Sequence, residues 1–434
     1  MLLVNPRKEQ WLIDGLNIYF LMKYTDMHYP NMKIFGTLSN IWGIKSFHAA
    51  KLNFNDQYNF LAMHMARSNL DQPLSMQKDS LLKFNKNIAN KYKAGVGLRY
   101  LDDYINANIL EETIKEFIAE NKVKLSNAAD FETLLKSKTE KDINWFFEEF
   151  VSTNKKIDFK IKKVVKTDDS IHVTIKNKRD NKMPVSLFAM NNDSIISKTW
   201  IDNIKTTKTV TLPNNNTNKL VLNYDKIIPE FNLRDNWKSL KGFFFNNKPL
   251  QFRLFKDIED PYYNQVFFMP QLNYNFYDGV SPGLKLYNKT LLPKAFVYDF
   301  RPTYGLKSKQ LVGSGSIYYT NRIENESLYF IRYGLRGKYS NYAPNLSYTS
   351  FTPYITFRFR NEKDLRDNYY KYLGLRLLHI SRENDPTNEF NNQDEPNYTV
   401  FNINYGQSNP NLINFSTSHT YLQLARKFGK IAFT

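Results

Sequence analysis

The run Gln10–Phe20, QWLIDGLNIYF, sets a single carboxylate, Asp14, where apolar residues crowd on both sides. On local chemistry alone an acid there favours the positive end of a helix, with Asp14 just ahead of a long apolar, aromatic segment. The other metal-binding or proton-carrying candidates are six histidines: His28, His48, His64, His172, His379 and His419. No two are four apart with a Glu between them, so the chain has no His-Glu-x-x-His helix, the element that supplies two zinc ligands and a general base. His64, in LAMHMARS, lies among apolar residues and reads as a packed core histidine, and Asp102 and Asp103 read as a solvated helix face rather than a catalytic pair. Gly313-Ser314-Gly315 falls between strand patterns and reads as a turn or sheet bend, since a phosphate loop has to open a helix. With no zinc-finger spacing and no helix of clustered Arg, the usual signs of a nucleic-acid partner are missing.

Three stretches would have to position these groups. Residues 1–152 read as helical: LDDYINANILEETIKEFIAENK spaces Leu101, Tyr104, Ile105, Ile109, Ile114 and Phe117 at three and four, the period of a one-sided apolar stripe. Ser126 and Asn127 stand as caps before Phe131, Leu134 and Leu135, while Pro30 and Pro73 mark breaks. Over 153–240 the period falls to two in KKIDFKIKKVV, SIHVTIKN and KTVTLP, with Asn-rich turns between them, which predicts a small β-sandwich. From 241 to 434 the segments lengthen and become aromatic. YFIRYGLRGKY sets Tyr329, Ile331, Tyr333 and Leu335 against Arg332 and Arg336, and YITFRFR sets Ile355, Phe357 and Phe359 against Thr356, Arg358 and Arg360. Phe401, Ile403 and Tyr405 oppose Asn402 and Asn404 in the same way. A soluble sandwich alternates too. Segment lengths near the 9–11 residues of a membrane-crossing strand, with Tyr and Phe at their ends, favour a lipid-facing barrel wall.

Composition bounds the rest. The 434 residues contain no cysteine and are 42% hydrophobic, enough for two or three domains without disulfides. Residues 1–150 hold 19 Lys and Arg against 18 Asp and Glu, so nearly all of the net charge of +18 lies beyond them. A positive surface attracts nucleic acid or an anionic membrane, and a general bias towards Lys, Asn, Ile and Tyr accounts for it equally. No apolar run reaches the roughly 18 residues of a spanning helix, and MLLVNPRKEQ is too short in apolar content for a secretory signal.

Trp11, Leu12, Asp14 and Gly15 resemble the Trp-Leu-x-Glu-Gly motif of the gluzincin aminopeptidases, the membrane alanyl aminopeptidase family. Tyr92, Lys93, Ala94 and Gly95 resemble that family's Tyr-x-Lys-Gly motif, with Ala in place of its Lys. The segment from Asp130 to Trp145 and Phe146 is similar to the family's helical tail before its β-sandwich. The likeness is nearest to the long form of Bacteroidetes-type bacteria, which adds a β-rich membrane-like extension.

The resemblance implies a multidomain α + β chain: the helical C-terminal part of a gluzincin catalytic domain (1–152), a β-sandwich (153–240), and a partial antiparallel β-barrel-like sheet (241–434). It implies that Asp14 is the third protein ligand of a catalytic zinc, that Tyr92 steadies a tetrahedral oxyanion, and that peptide is hydrolysed by zinc-activated water at the bacterial outer membrane or in the periplasm. The family's His-Glu-x-x-His helix lies shortly before the third ligand, and only 13 residues precede Asp14. The chain is therefore expected to be a piece lacking that helix and the end of the barrel, holding no zinc and hydrolysing no peptide by itself. Asp14 is a methylene shorter than the family's Glu, which leaves open the alternative of an inactive pseudo-peptidase acting as a membrane-surface peptide-binding or assembly module. The expected partners are peptide and outer-membrane lipid, without nucleic acid.

Overall fold

The computed structural model describes residues 3–106, 108–324, 326–361, 363–387, 397–426 and 428–434. Residue contacts divide the chain into two compact units, Met1–Pro249 with Asp260–Tyr263, and Leu250–Glu259 with Asn264–Thr434.

The first unit begins with helices α1 (Gln10–His28), α2 (His48–Lys51), α3 (Asp56–Arg67), α4 (Asn90–Ile105), α5 (Ile109–Glu120) and α6 (Ala128–Lys138), with π-helical turns at Asn85–Ala89 and Trp145–Val151. Two short strands, β1 (Leu3–Val4) and β2 (Leu125–Ser126), pair in parallel beside them. On α1 the apolar residues at helical spacing, Trp11, Leu12, Leu16, Tyr19 and Met22, are buried, so one stripe drives its packing. The stripe read through Leu101 and Phe117 is split: Asn106 and Asn108 take φ of 65° and 58°, a left-handed conformation that Asn tolerates and that ends α4 before α5. Of the two expected caps, Asn127 is the one that acts. Its side chain accepts from the Asp130 amide at 3.0 Å, and Asp130 accepts from the Asn127 amide at 3.1 Å, a closed capping box. Among the described residues no helix is long and apolar enough to cross a membrane.

The chain then forms two facing sheets. One holds β3 (Phe159–Lys166), β4 (Ser170–Asn177) and β7 (Thr207–Pro213); the other holds β5 (Val185–Asn191), β6 (Ser194–Ile201), β8 (Lys219–Leu222) and β9 (Trp237–Ser239), in the order β6-β5-β8-β9. Ile171, Val173 and Ile175 of β4 point inward at every second position. They share one core with Leu12 and Tyr19 of α1, Leu98 and Leu101 of α4, and Phe146. Burial of that shared core, at about 25 cal/mol per Å² of apolar surface, is what holds helices and sandwich together.

The second unit is one sheet of eleven strands in sequence order. These are β10 (Leu250–Leu254), β11 (Asn264–Asn275), β12 (Gly279–Tyr287), β13 (Phe296–Gly305), β14 (Gln310–Arg322), β15 (Leu328–Ala343), β16 (Leu346–Arg360), β17 (Tyr370–Arg382), β18 (Tyr398–Asn409), β19 (Ser416–Ala425) and β20 (Phe428–Phe433). The sheet is open, because β10 and β20 do not pair with one another, and one feature corrects the expected antiparallel order: β10 runs parallel to β11 while every other neighbour is antiparallel. Of the turn or sheet bend expected at Gly313-Ser314-Gly315, the turn is not formed, since the three residues lie inside β14. A Cβ on Gly313 would sit 2.2 Å from the Arg301 carbonyl oxygen, so the close approach of β13 selects glycine.

Register turns the alternation of single strands into two continuous faces. Tyr333 lies opposite Ile355, Ile355 opposite Leu375, Leu375 opposite Ile403, Ile403 opposite Leu422, and Leu422 opposite Ile431. A second row runs Ile331, Phe357, Leu373, Tyr405. None of these side chains joins a buried core, and Tyr333 remains 47% exposed. The opposite face carries a ladder of cations on rings: Arg332 over Tyr318 at 4.7 Å, Arg336 over Tyr354 at 4.7 Å and Arg358 over Tyr370 at 4.3 Å.

Candidate functional site

The two motif helices meet at their small residues. A Cβ on Gly15 of α1 would lie 3.0 Å from the Ala94 Cβ of α4, and one on Gly95 would lie 2.3 Å from Ile18 Cγ2. The glycines thus let the two backbones approach where larger side chains would separate them. WLIDG and YKAG are thereby held at one helix crossing.

Asp14 does not lie at the helix start that its sequence context suggested; α1 begins four residues earlier at Gln10. Its carboxylate is nearly buried, accepts from Gln10 Nε2 at 2.9 Å and has Lys91 Nζ at 3.8 Å. It borders a cavity of about 20 Å³ whose other walls include Arg7, Lys8, Lys78 and Lys86. Tyr92 is half-buried and points elsewhere. Its ring packs edge-on against Tyr58, centroids 4.8 Å apart, in a cluster with Met22 and Val96, and it does not line the Asp14 cavity. The helix crossing brings the motifs together but not these two side chains.

The residues around Asp14 do not fit a zinc ion. Zinc sites take three or four N, O or S ligands, whereas Asp14 is a lone carboxylate ringed by ammonium and guanidinium groups that repel a cation. Among the described residues no group of three His, Cys, Asp or Glu could hold a metal.

Other candidates resolve differently. His64 is half-buried, with its ring 6.4 Å from that of Phe84. Asp102 is not on a solvated face: it accepts from Tyr19 Oη at 2.8 Å, and burial raises its carboxyl above the ordinary range. Asp103 is paired with Lys198. Three buried titratable groups escaped the sequence reading because their burial depends on tertiary packing. Lys93 Nζ has no hydrogen-bond partner and lies 5.3 Å from the Phe150 ring centroid, and burial pushes its ammonium down to about 8. Lys156 donates to both oxygens of Asp71 at 2.6 and 2.7 Å. Glu230 accepts from the Phe159 amide at 2.8 Å and from Asn236 at 2.6 Å.

No protein-family model matches the chain, and no curated protein matches it. Among solved structures, 23 chains match. One is the crystal structure of Legionella pneumophila aminopeptidase A in complex with aspartic acid, at 13% identity and a TM-score of 0.35, over 51% of this chain and 23% of that one. This chain thus spans about a quarter of that protein's length, and a likeness of this size transfers no residue role.

Proposed function

We propose that residues 1–240 are a gluzincin-type peptidase scaffold and that the sheet beyond them is its lipid-facing extension. The observation that carries the first part is the crossing of α1 and α4, where Gly15 meets Ala94 and Gly95 meets Ile18. Two motifs that serve one site have to be held side by side, and here the glycine of each motif, Gly15 and Gly95, lies at the contact between the two helices.

On this reading the substrate is peptide, the metal is zinc, and Asp14 supplies one ligand to a site whose histidines come from outside these 434 residues. Because the residues present do not form that site, no hydrolytic step is assigned to them. The lysines Lys8, Lys78, Lys86 and Lys91 around the Asp14 cavity favour a second reading, a pseudo-peptidase that uses the same scaffold as a peptide-binding or assembly module. Its cations would meet a peptide's carboxylates rather than a metal.

Zinc content and peptide hydrolysis separate the two. The chelator-washed chain is expected to retain no stoichiometric zinc and to release no amino acid from aminoacyl substrates. Joined to the coding sequence upstream of it, a protein that gains zinc-dependent hydrolysis, lost on Asp14→Ala, supports the peptidase. One that stays metal-free and inactive supports the binding module, and stoichiometric zinc in the 434-residue chain itself overturns the ligand argument.

The lipid-facing part rests on the uncovered rows Tyr333-Ile355-Leu375-Ile403 and Ile331-Phe357-Leu373-Tyr405. A contiguous apolar face without a core behind it meets either lipid or protein, and strands of 12 to 16 residues from β14 to β18 are long enough to cross a bilayer. An outer-membrane location follows from this reading.

A further inference from the structure

The polar face of the eleven-stranded sheet holds a depression of about 350 Å³ over β13 to β17. Its floor is small and hydroxylated. Ser316 lies beside Arg336 and Arg336 beside Thr352, while Ser314 lies beside Lys338 and Lys338 beside Ser350. Short side chains leave the space that the longer Arg301, Arg336, Lys338 and Arg376 wall in.

The charges there are unbalanced. Asp299 is held by Arg301 at 2.7 and 3.2 Å and by Lys285 at 3.2 Å, so the only carboxylate that lines the depression among the described residues is already shared by two cations. Arg336, Lys338 and Arg376 have no carboxylate partner among the described residues. The Arg336 guanidinium lies over the Tyr354 ring and Lys338 Nζ lies 5.2 Å from the Tyr348 ring centroid, contacts that hold the charged heads in place without neutralising them. Three cations without a carboxylate partner, lining one depression with four hydroxyls, match the tetrahedral, multiply charged oxygens of a phosphate better than a planar carboxylate, which one guanidinium satisfies.

From this juxtaposition we propose that Arg336, Lys338 and Arg376, with the Ser314, Ser316, Ser350 and Thr352 hydroxyls, form a binding site for a phosphomonoester or diphosphate group. The depression is larger than a bare phosphate, so the group is carried on a small solute or a lipid headgroup. The site lies on the face opposite the apolar rows and is independent of both the peptidase and the lipid-facing readings.

Titration calorimetry on the full chain in neutral detergent tests it, with inorganic pyrophosphate as one probe and short-chain phosphatidate, below its micelle concentration, as the other. Saturable one-to-one binding of either probe, with chloride a weak competitor, is expected. Pyrophosphate alone identifies a soluble ligand, and phosphatidate bound more tightly than pyrophosphate identifies a headgroup. R336Q combined with R376Q should weaken binding by about tenfold or more, because each substitution removes charge-assisted hydrogen bonds. D299N frees Arg301 and should tighten binding, an increase that a misfolded protein would not show. Binding of neither probe, an undiminished affinity in the double variant, or equal affinity for chloride overturns the proposal.

Discussion

Gly95 of α4 and Ile18 of α1 are packed so closely that a Cβ on the glycine would come within 2.3 Å of Ile18 Cγ2 and 2.5 Å of Ile18 Cβ. Ile18 is β-branched and stiff, so it cannot swing its side chain away. Gly95→Ala is therefore expected to push the two helices apart and lower stability by about 1–3 kcal/mol, the usual cost of overpacking. Ile18→Ala in the same chain should recover part of that loss. Denaturant midpoints of the single and double variants check this, and an unchanged midpoint in Gly95→Ala would show that the crossing is looser than described.

The crossing also shows how far the sequence reading reached. The apolar stripe of Leu101, Tyr104 and Ile114 and the alternation of Arg332 with Tyr333 are local periodicities, and they appear in the structure as a buried helix stripe and as the two opposite faces of one sheet. The bend at Asn106 and Asn108, by contrast, interrupts a stripe whose spacing runs on across it, so no period marks it. Parallel pairing of β10 with β11 has no local signature. Whether Arg336 stands near Arg376 depends on the register of β15, β16 and β17, and whether Lys93 is buried depends on Phe150 of a separate helical turn. Asp14 and Tyr92 illustrate the same limit: each motif was legible, but the direction of its side chain was set by neighbours distant in sequence.

Glu230 should make stability depend on pH. Burial raises its carboxyl to about 8 against an ordinary 4.5, with the Phe159 amide, Asn236 and Asn223 pulling the other way. A raised folded pKa means that the native state keeps a proton the unfolded chain has already released. The contribution is full below about pH 4.5 and is lost as pH rises through 8, with a slope of at most about 1.4 kcal/mol per pH unit. Glu230→Gln, which mimics the neutral acid, should flatten unfolding midpoints across that window. A native-like slope in the variant would place the pH dependence elsewhere.

The Lys156–Asp71 pair is 3% and 8% exposed at its two side chains. Removing one partner leaves the other charge buried and unpaired, so Lys156→Met should destabilise the first unit by about 3–5 kcal/mol. Asp71→Leu added to it removes the stranded carboxylate and should return much of the loss. If the double variant is as unstable as the single one, the pair contributes through its packing rather than its charge.

Tyr92→Phe separates packing from chemistry. Its ring contact with Tyr58 survives the substitution, so the melting temperature should hold. If the peptidase reading is right, a form complete enough to be active should lose about 10²–10³ in turnover with little change in KM, the pattern expected when a donor to a developing oxyanion is removed. Unchanged turnover would leave Tyr92 as a packing residue.

The two faces of β16 give opposite expectations for the same new side chain. Phe357 lies in the uncovered apolar row between Ile331 and Leu373, whereas Thr356, one residue earlier, lies between Arg332 and Gly374 on the polar face. If the apolar rows contact lipid, Phe357→Arg places a charge in hydrocarbon and should cost about 2–4 kcal/mol near the bilayer midplane, while Thr356→Arg only adds to a face already cationic. Folding of the full chain into lipid vesicles, followed by denaturant titration, measures both. Membrane association should also survive high salt, which strips proteins held by charge alone, and the chain without lipid or detergent should aggregate, since its open edges and apolar face are then exposed to water. Should the full chain prove soluble and monomeric without detergent, with Phe357→Arg no worse than Thr356→Arg, the apolar rows do not face lipid. The surface from Tyr333 to Ile403 would then be a docking face for another protein.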